Sequence, residues 1–176
     1  MTEQLNVQQM AEKLLAADNV LILCHKNPDG DTIGSASALC LGLRQLGKTA
    51  FVLTNEQFTP RFTPFLDGLV CGALPAGATI ISADIASEGL LSFDAVRMGL
   101  IPVCAVDHHG SNSLTCPKLV EADKAACGEI IHAILLELGV TVTFMSPNTK
   151  DDAQQIECVN NAVAGGYQAI IVAANG

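Results

Sequence analysis

The chain has 176 residues, enough for one domain with a proper core and not comfortably for two; a hydrophobic fraction of 49% and a mean hydropathy of +0.38 fit a buried-sheet α/β protein. With aromatics at 4% and no Trp, that core must be built from Ala, Val, Ile and Leu. A net charge of -9 and a pI near 4.6 speak against a surface that grips duplex DNA, and no apolar run reaches the length of a membrane span.

At the N-terminus, Met1-Thr2-Glu3-Gln4 offers no basic start followed by an apolar stretch, so no signal peptide is expected. The seven cysteines are odd in number and never in CxxC spacing, which reads as reduced thiols in a cytoplasmic protein. Leu5, Met10, Leu14 and Leu15 recur at helical spacing and predict an opening amphipathic helix over one face of a sheet.

The run Val20-Leu21-Ile22-Leu23-Cys24 predicts a buried strand, and it leads straight into His25 and the sequence HKNPDGD. The chain is expected to turn at Asn27-Pro28-Asp29-Gly30, to place Asp31 and Thr32 at a helix N-cap, and to run helical over 32–46 until Gly47. His25, Asp29 and Asp31 then bring one imidazole and two carboxylates to a single concavity, a donor set that suits Mn, Fe or Zn better than Mg. Taken alone, the same residues also read as an ordinary turn. Gly34, Ser35, Ala36, Ser37 and Ala38 are small enough for close packing on the sheet, and the helix's first amides offer a second use, holding a phosphate.

A second strand is predicted over 49–53, then an irregular connection over 55–66 with Pro60, Pro64 and a solvated Arg61. A third strand over 79–82 runs into Asp84, followed by a loop over 86–93 that crosses the mouth of the site, with Asp94 as a surface turn acid. Val103-Cys104-Ala105-Val106 opens into Asp107-His108-His109-Gly110. Consecutive histidines at the end of a buried strand are hard to explain by packing, because buried polar groups need partners. Lys118 to Glu121 reads as a short strand, and 125–138 as a helix closed by Gly139, with Ile130, Ile131, Ile134, Leu135 and Leu138 on its buried stripe and His132 as a plain helix histidine. The alternation predicts an α/β fold, a mainly parallel β-sheet with helices on both faces. Sites in such sheets form outside the carboxyl ends of the strands, so the three polar clusters are expected to converge.

HKNPDGDTIGSASAL, the SADIAS segment with Asp84, and VDHHGSN together resemble the first three motifs of the DHH phosphoesterases. The wording HKNPDGDT is most similar to the bacterial branch of small oligoribonucleases that also remove the 3'-phosphate from 3'-phosphoadenosine 5'-phosphate. The resemblance implies a site for two divalent metal ions, Mn2+ first with Mg2+ and Co2+ as alternatives. His25 and Asp29 would hold one ion, Asp31 and His108 the other, and Asp84 both. Asp107 would orient a neighbouring histidine, and His109 would face the substrate phosphate or help the leaving oxygen, as a catalytic and substrate-binding residue. The implied reaction is hydrolysis of a phosphate ester, and the implied substrates are a short oligoribonucleotide or a nucleotide bisphosphate. An exposed edge strand would favour a homodimer.

The resemblance stops near residue 143. Residues 1–143 read as an incomplete DHH phosphoesterase domain, without a counterpart of the family's fourth-motif aspartate or of its C-terminal substrate-binding domain. Asp151 and Asp152 stand at a helix start, in the wrong context to replace that aspartate. Residues 144–176, with a helix over 151–164 and a strand over 169–172, resemble a strand-helix-strand piece of a periplasmic sugar-binding protein. A truncated or composite chain with weakened activity is the expectation, against a non-catalytic nucleotide- or metal-binding remnant and, third, a sugar-binding module.

Overall fold

Short apolar runs become the centre of a parallel sheet, because strands covered on both faces need no polar alternation. The computed structural model describes residues 2–143, 145 and 152–166. Its elements are α1 (Val7–Ala16), β1 (Val20–Leu23), α2 (Gly30–Gln45), β2 (Ala50–Leu53), β3 (Val70–Cys71), β4 (Thr79–Ala83), α3 (Phe93–Arg97), β5 (Cys104–Asp107), β6 (Lys118–Val120), α4 (Cys127–Glu137) and α5 (Asp152–Ala164). Single 3-10 turns cover Thr63–Leu66 and Glu88–Leu90.

The six strands lie in the order β3-β2-β1-β4-β5-β6 and every neighbouring pair is parallel. The chain winds outward from β1 on one side, returns to place β4 beside β1, and winds outward on the other. The strand order therefore reverses between β1 and β4, the position where doubly wound sheets open a crevice at their carboxyl ends.

Alternate residues serve opposite faces. Val20, Ile22, Val52, Ile81 and Val106 pack with Met10 and Leu14 of α1, Leu39 and Leu43 of α2, and Ile130 and Ile134 of α4. Leu21, Leu23, Leu53 and Ala105 face a thinner layer of Ile85, Ala95, Leu100 and Leu114. Each fully buried Leu or Ile contributes about 1.5–3 kcal/mol, so the thicker face carries most of the stability. Helices α2 and α4 meet at Gly42, where a Cβ would run into the Leu135 side chain. We expect Gly42→Val to lower Tm by about 3–10 °C through overpacking. An unchanged thermal melt would contradict this close approach.

Several expectations need correction. Asp29, not Asp31 or Thr32, caps α2: its backbone is extended and its Oδ1 accepts from the Asp31 N–H at 3.0 Å and the Thr32 N–H at 3.1 Å. The helix thus starts two residues earlier than its expected start. Val70–Cys71 forms an edge strand too short to show periodicity, and the segment after the site loop is a helix, α3, with Asp94 in its first turn bonded to Arg97 at 2.7 Å. The outer edge of β6 is not free, since Lys118 N donates to Glu3 O at 3.0 Å and Leu5 N to Lys118 O at 2.7 Å. The expected strand over 169–172 lies outside the described residues. Among the described residues no helix is long and apolar enough to cross a membrane.

Candidate active site

The ends of β1, β4 and β5 lie side by side at the strand-order reversal, and each delivers its polar cluster there. Thr32 Oγ1 donates to Ala83 O at 3.1 Å, tying the start of α2 to the end of β4. The loop after Asp84 lies against the first motif. Lys26 N donates to Leu90 O at 2.7 Å, and His25 forms an isolated bridge with Leu91.

The His25 and His108 imidazoles approach Asp84, one at each carboxylate oxygen. His25 Nδ1 contacts Lys26 O at 2.6 Å and His108 Nδ1 contacts Lys124 O at 3.2 Å. A carbonyl only accepts, so both rings carry their proton on Nδ1 and present a lone pair at Nε2. His25 Nε2 lies 3.7 Å from Asp29 Oδ1 and 3.7 Å from Asp84 Oδ2. His108 Nε2 lies 3.6 Å from Asp31 Oδ2 and 3.6 Å from Asp84 Oδ1. Such separations are too long for direct hydrogen bonds, which run about 2.7–3.2 Å. They suit atoms that share an ion, since ligands each about 2.1 Å from one centre stand roughly 3–3.5 Å apart.

Asp84 is 3% exposed, and its Oδ1 is buried without a hydrogen-bond partner. Its φ of 61° puts a non-glycine residue in the left-handed region, which Asp tolerates better than most. Burial, then the nearby Asp31, Asp29 and Asp107 carboxylates, push its acid group up from 3.8 to about 8. A buried carboxylate among three others is costly unless a cation offsets it. The orphaned oxygen and the nitrogen-oxygen donor set therefore fit divalent metal ions. Among the described residues, two groups have ligand atoms within 4.8 Å of one another: His25, Asp29 and Asp84, and Asp84, His108 and His109.

The remaining carboxylates are held more firmly. Asp31 Oδ2 accepts from Cys127 N at 2.7 Å, and Asp31 Oδ1 accepts from Gly128 N at 2.9 Å and Ser35 Oγ at 3.2 Å. The cap residue of α4, Ala126, has no side-chain acceptor, so Asp31 satisfies those orphan amides from far along the chain. Asp107 is fully buried; its Oδ1 accepts from His108 N at 2.8 Å and His109 Nδ1 at 2.8 Å, and its Oδ2 from Asn112 Nδ2 at 2.7 Å. The His109 ring packs against that of His108 at a tilt of 57°, with centroids 4.3 Å apart, and is 47% exposed, open enough to meet a ligand.

All seven residues singled out from the sequence thus come together: His25, Asp29, Asp31, Asp84, Asp107, His108 and His109. His132, on α4, belongs to neither group. Of the first α2 amides, those of Asp31 and Thr32 are taken by Asp29 Oδ1, so fewer of them face outward for a phosphate than the sequence suggested. Sequence reasoning missed the supporting shell. Asn55 donates to His25 O at 3.1 Å, and Gln57 Oε1 accepts from Asn27 N at 2.7 Å, so the segment after β2 braces the first motif. Asn112 was visible only as the last letter of VDHHGSN.

Residues 19–166 match the family described as DHH family, N-terminal domain. The Bifunctional oligoribonuclease and PAP phosphatase NrnA of Thermus thermophilus is 31% identical over 144 residues, covering 76% of this chain and 42% of that protein. The chain therefore spans less than half the length of this curated relative. Among solved structures, an exopolyphosphatase-related protein from Bacteroides fragilis is similar with a TM-score of 0.54 at 20% identity, over 76% of this chain and 43% of that one, which is a likeness of fold. With its three motifs converging at the sheet's crevice and the family match running over residues 19–166, this chain belongs to the DHH family.

Proposed function

We propose that this chain is a metal-dependent phosphoesterase domain, acting on short oligoribonucleotides or 3'-phosphoadenosine 5'-phosphate. The observation that carries the reading is Asp84, a buried carboxylate without a hydrogen bond at Oδ1, shared between two ligand groups. The substrate class follows the printed activity of the Thermus relative. His25 and Asp29 would hold one ion, Asp31 and His108 the other, and Asp84 both, with Mn2+ the first choice and Mg2+ or Co2+ the alternatives. Divalent ions bound there supply positive charge that polarises a phosphoryl group and acidifies water.

The chain's own residues do the rest. Asp107 takes the His109 Nδ1–H, which leaves Nε2 facing the substrate; once it has taken a proton from water, Nε2–H would donate to the phosphate or give that proton to the leaving oxygen. The rigid shell of Asn55, Gln57 and the α4 amides holds the ligands in place without reorganisation. A net charge of -9 favours small substrates over duplex DNA, and the seven free cysteines favour a cytoplasmic location. A homodimer, if formed, does not use the β6 edge, which the N-terminal segment occupies.

The two ion positions should differ in strength. Both oxygens of Asp31 already accept hydrogen bonds, Oδ2 from Cys127 and Oδ1 from Gly128 and Ser35, whereas Asp29 takes its two, from Asp31 N and Thr32 N, on Oδ1 alone, which leaves Oδ2 with more donor strength for an ion. Calorimetric titration with Mn2+ should resolve one tighter and one weaker site, and Asp29→Ala should remove the tighter one. Two equally tight sites would count against this assignment. Hydrolysis of the two substrates in Mn2+ tests the function itself, while bound Mn2+ without turnover would favour a metal- or nucleotide-binding remnant.

A further inference from the structure

We propose that Asn112 is a positioning residue that locks the Asp107 carboxylate, and through it fixes which nitrogen His109 presents to a substrate. The inference rests on the role given to His109 above. An Asp side chain rotates easily about its last bond, so one hydrogen-bonded oxygen does not fix the plane of the carboxylate. Asp107 is fixed at both ends: Oδ1 takes His108 N and His109 Nδ1, each at 2.8 Å, and Oδ2 takes Asn112 Nδ2 at 2.7 Å.

A competitor for the same proton stands close by. His109 Nδ1 is 3.7 Å from Asp84 Oδ1, the oxygen without a hydrogen bond, so a small swing of the ring would trade Asp107 for Asp84. Such a swing would engage Asp84, which the ions need, and release the His109 proton from its anchor. Asn112 opposes it by holding Asp107 in plane.

The Asn112 amide is itself fixed in one orientation. Its Nδ2 donates to Asp107 Oδ2 and to Ile85 O at 3.0 Å, and its Oδ1 accepts from Leu114 N at 3.0 Å and Lys118 Nζ at 3.1 Å. A flipped amide would set oxygen against two acceptors and nitrogen against two donors. Lys118 Nζ also reaches Asn112 O at 2.8 Å and Leu114 O at 3.0 Å, and Asn112 N donates to His109 O at 3.0 Å. The turn after His109 is thereby closed around the ammonium. Asn112, Ile85, Leu114 and Lys118 carry none of the carboxylate or imidazole donors of the two ligand groups.

Asn112→Asp is the discriminating variant, because it keeps shape and replaces the donor facing Asp107 with an oxygen. The first readout needs no metal and no substrate: 15N spectra of the imidazole rings in chelated protein report the tautomer of His109. Wild type should show the Nδ1–H form, and Asn112→Asp should lose it in part or whole. The second readout is kinetic, with Mn2+ and the better of the two substrates. We expect kcat to fall by about 10–100-fold, as for other groups that orient a site residue, with KM and Mn2+ affinity little changed. Should Asn112→Asp not fold by circular dichroism, Asn112→Ala, which adds no charge, is read in the same two ways. A wild-type tautomer together with wild-type kcat in a folded variant overturns the proposal. If wild type itself turns over neither substrate, the phosphoesterase reading fails and the tautomer spectra still decide the role of Asn112: loss of Nδ1–H upholds it, and retention overturns it.

Discussion

Asp84→Asn should stabilise the metal-free chain, by a margin that grows as pH rises. Asp84 titrates at about 8 in the folded chain, against 3.8 unfolded, because of burial and the neighbouring Asp31, Asp29 and Asp107 carboxylates. Between those values the folded state keeps a proton that the unfolded state has lost. Stability is therefore fully present below the unfolded value and declines, by up to about 1.4 kcal/mol per pH unit, as pH rises through the folded one. Asn carries no such proton, so the variant escapes the decline. Urea unfolding in chelator at about pH 5 and about pH 8 should show the variant's advantage widening by on the order of 3 kcal/mol. An advantage that is the same at both pH values would mean that Asp84 is not the strained acid described here. Added Mn2+ should reverse the order, because bound cations stabilise only a chain with its ligands intact.

Asp31→Ala should act in the opposite direction. Although Asp31 sits a few ångströms from the same imidazole, its oxygens take the amides of Cys127 and Gly128 and the Ser35 hydroxyl. Removing it leaves the α4 N-terminus without its acceptor, in a helix whose own cap position, Ala126, supplies none. A loss of about 1–3 kcal/mol is expected in the metal-free chain. Equal stability of Asp31→Ala and wild type in chelator would show that α4 finds another cap. Two carboxylates of one site thus differ in what they do for the fold: Asp31 holds it together and Asp84 strains it.

The difference between those two acids also marks what the sequence could convey. The convergence of His25, Asp84 and Asp107 was legible because each follows an apolar run directly, so strand and polar cluster are read in one window. The parallel α/β class was legible for the same reason, from alternation alone. The strand order was not, because register between β1 and β4 depends on contacts across 59 positions, Val20 with Thr79. The sequence put Asp29 in the turn and Asp31 with Thr32 at the helix cap, and backbone geometry decided otherwise: Asp29 is extended and Asp31 already helical. The tie from Asp31 to Cys127 and the brace from Asn55 to His25 join distant segments and leave no local pattern. Val70–Cys71 was missed because two residues have no period, and α3 because its five residues carry too little amphipathic signal.

Hydrolysis should depend on the shared carboxylate, Asp84. The most direct test is release of phosphate from 3'-phosphoadenosine 5'-phosphate, and of mononucleotide from a short oligoribonucleotide, in Mn2+, for wild type and Asp84→Ala. The expectation is turnover by wild type that falls by at least about a thousandfold in the variant, the scale seen when charge stabilisation at the reacting group is removed. Turnover that survives Asp84→Ala, or a wild type that binds Mn2+ and hydrolyses neither substrate, would contradict it.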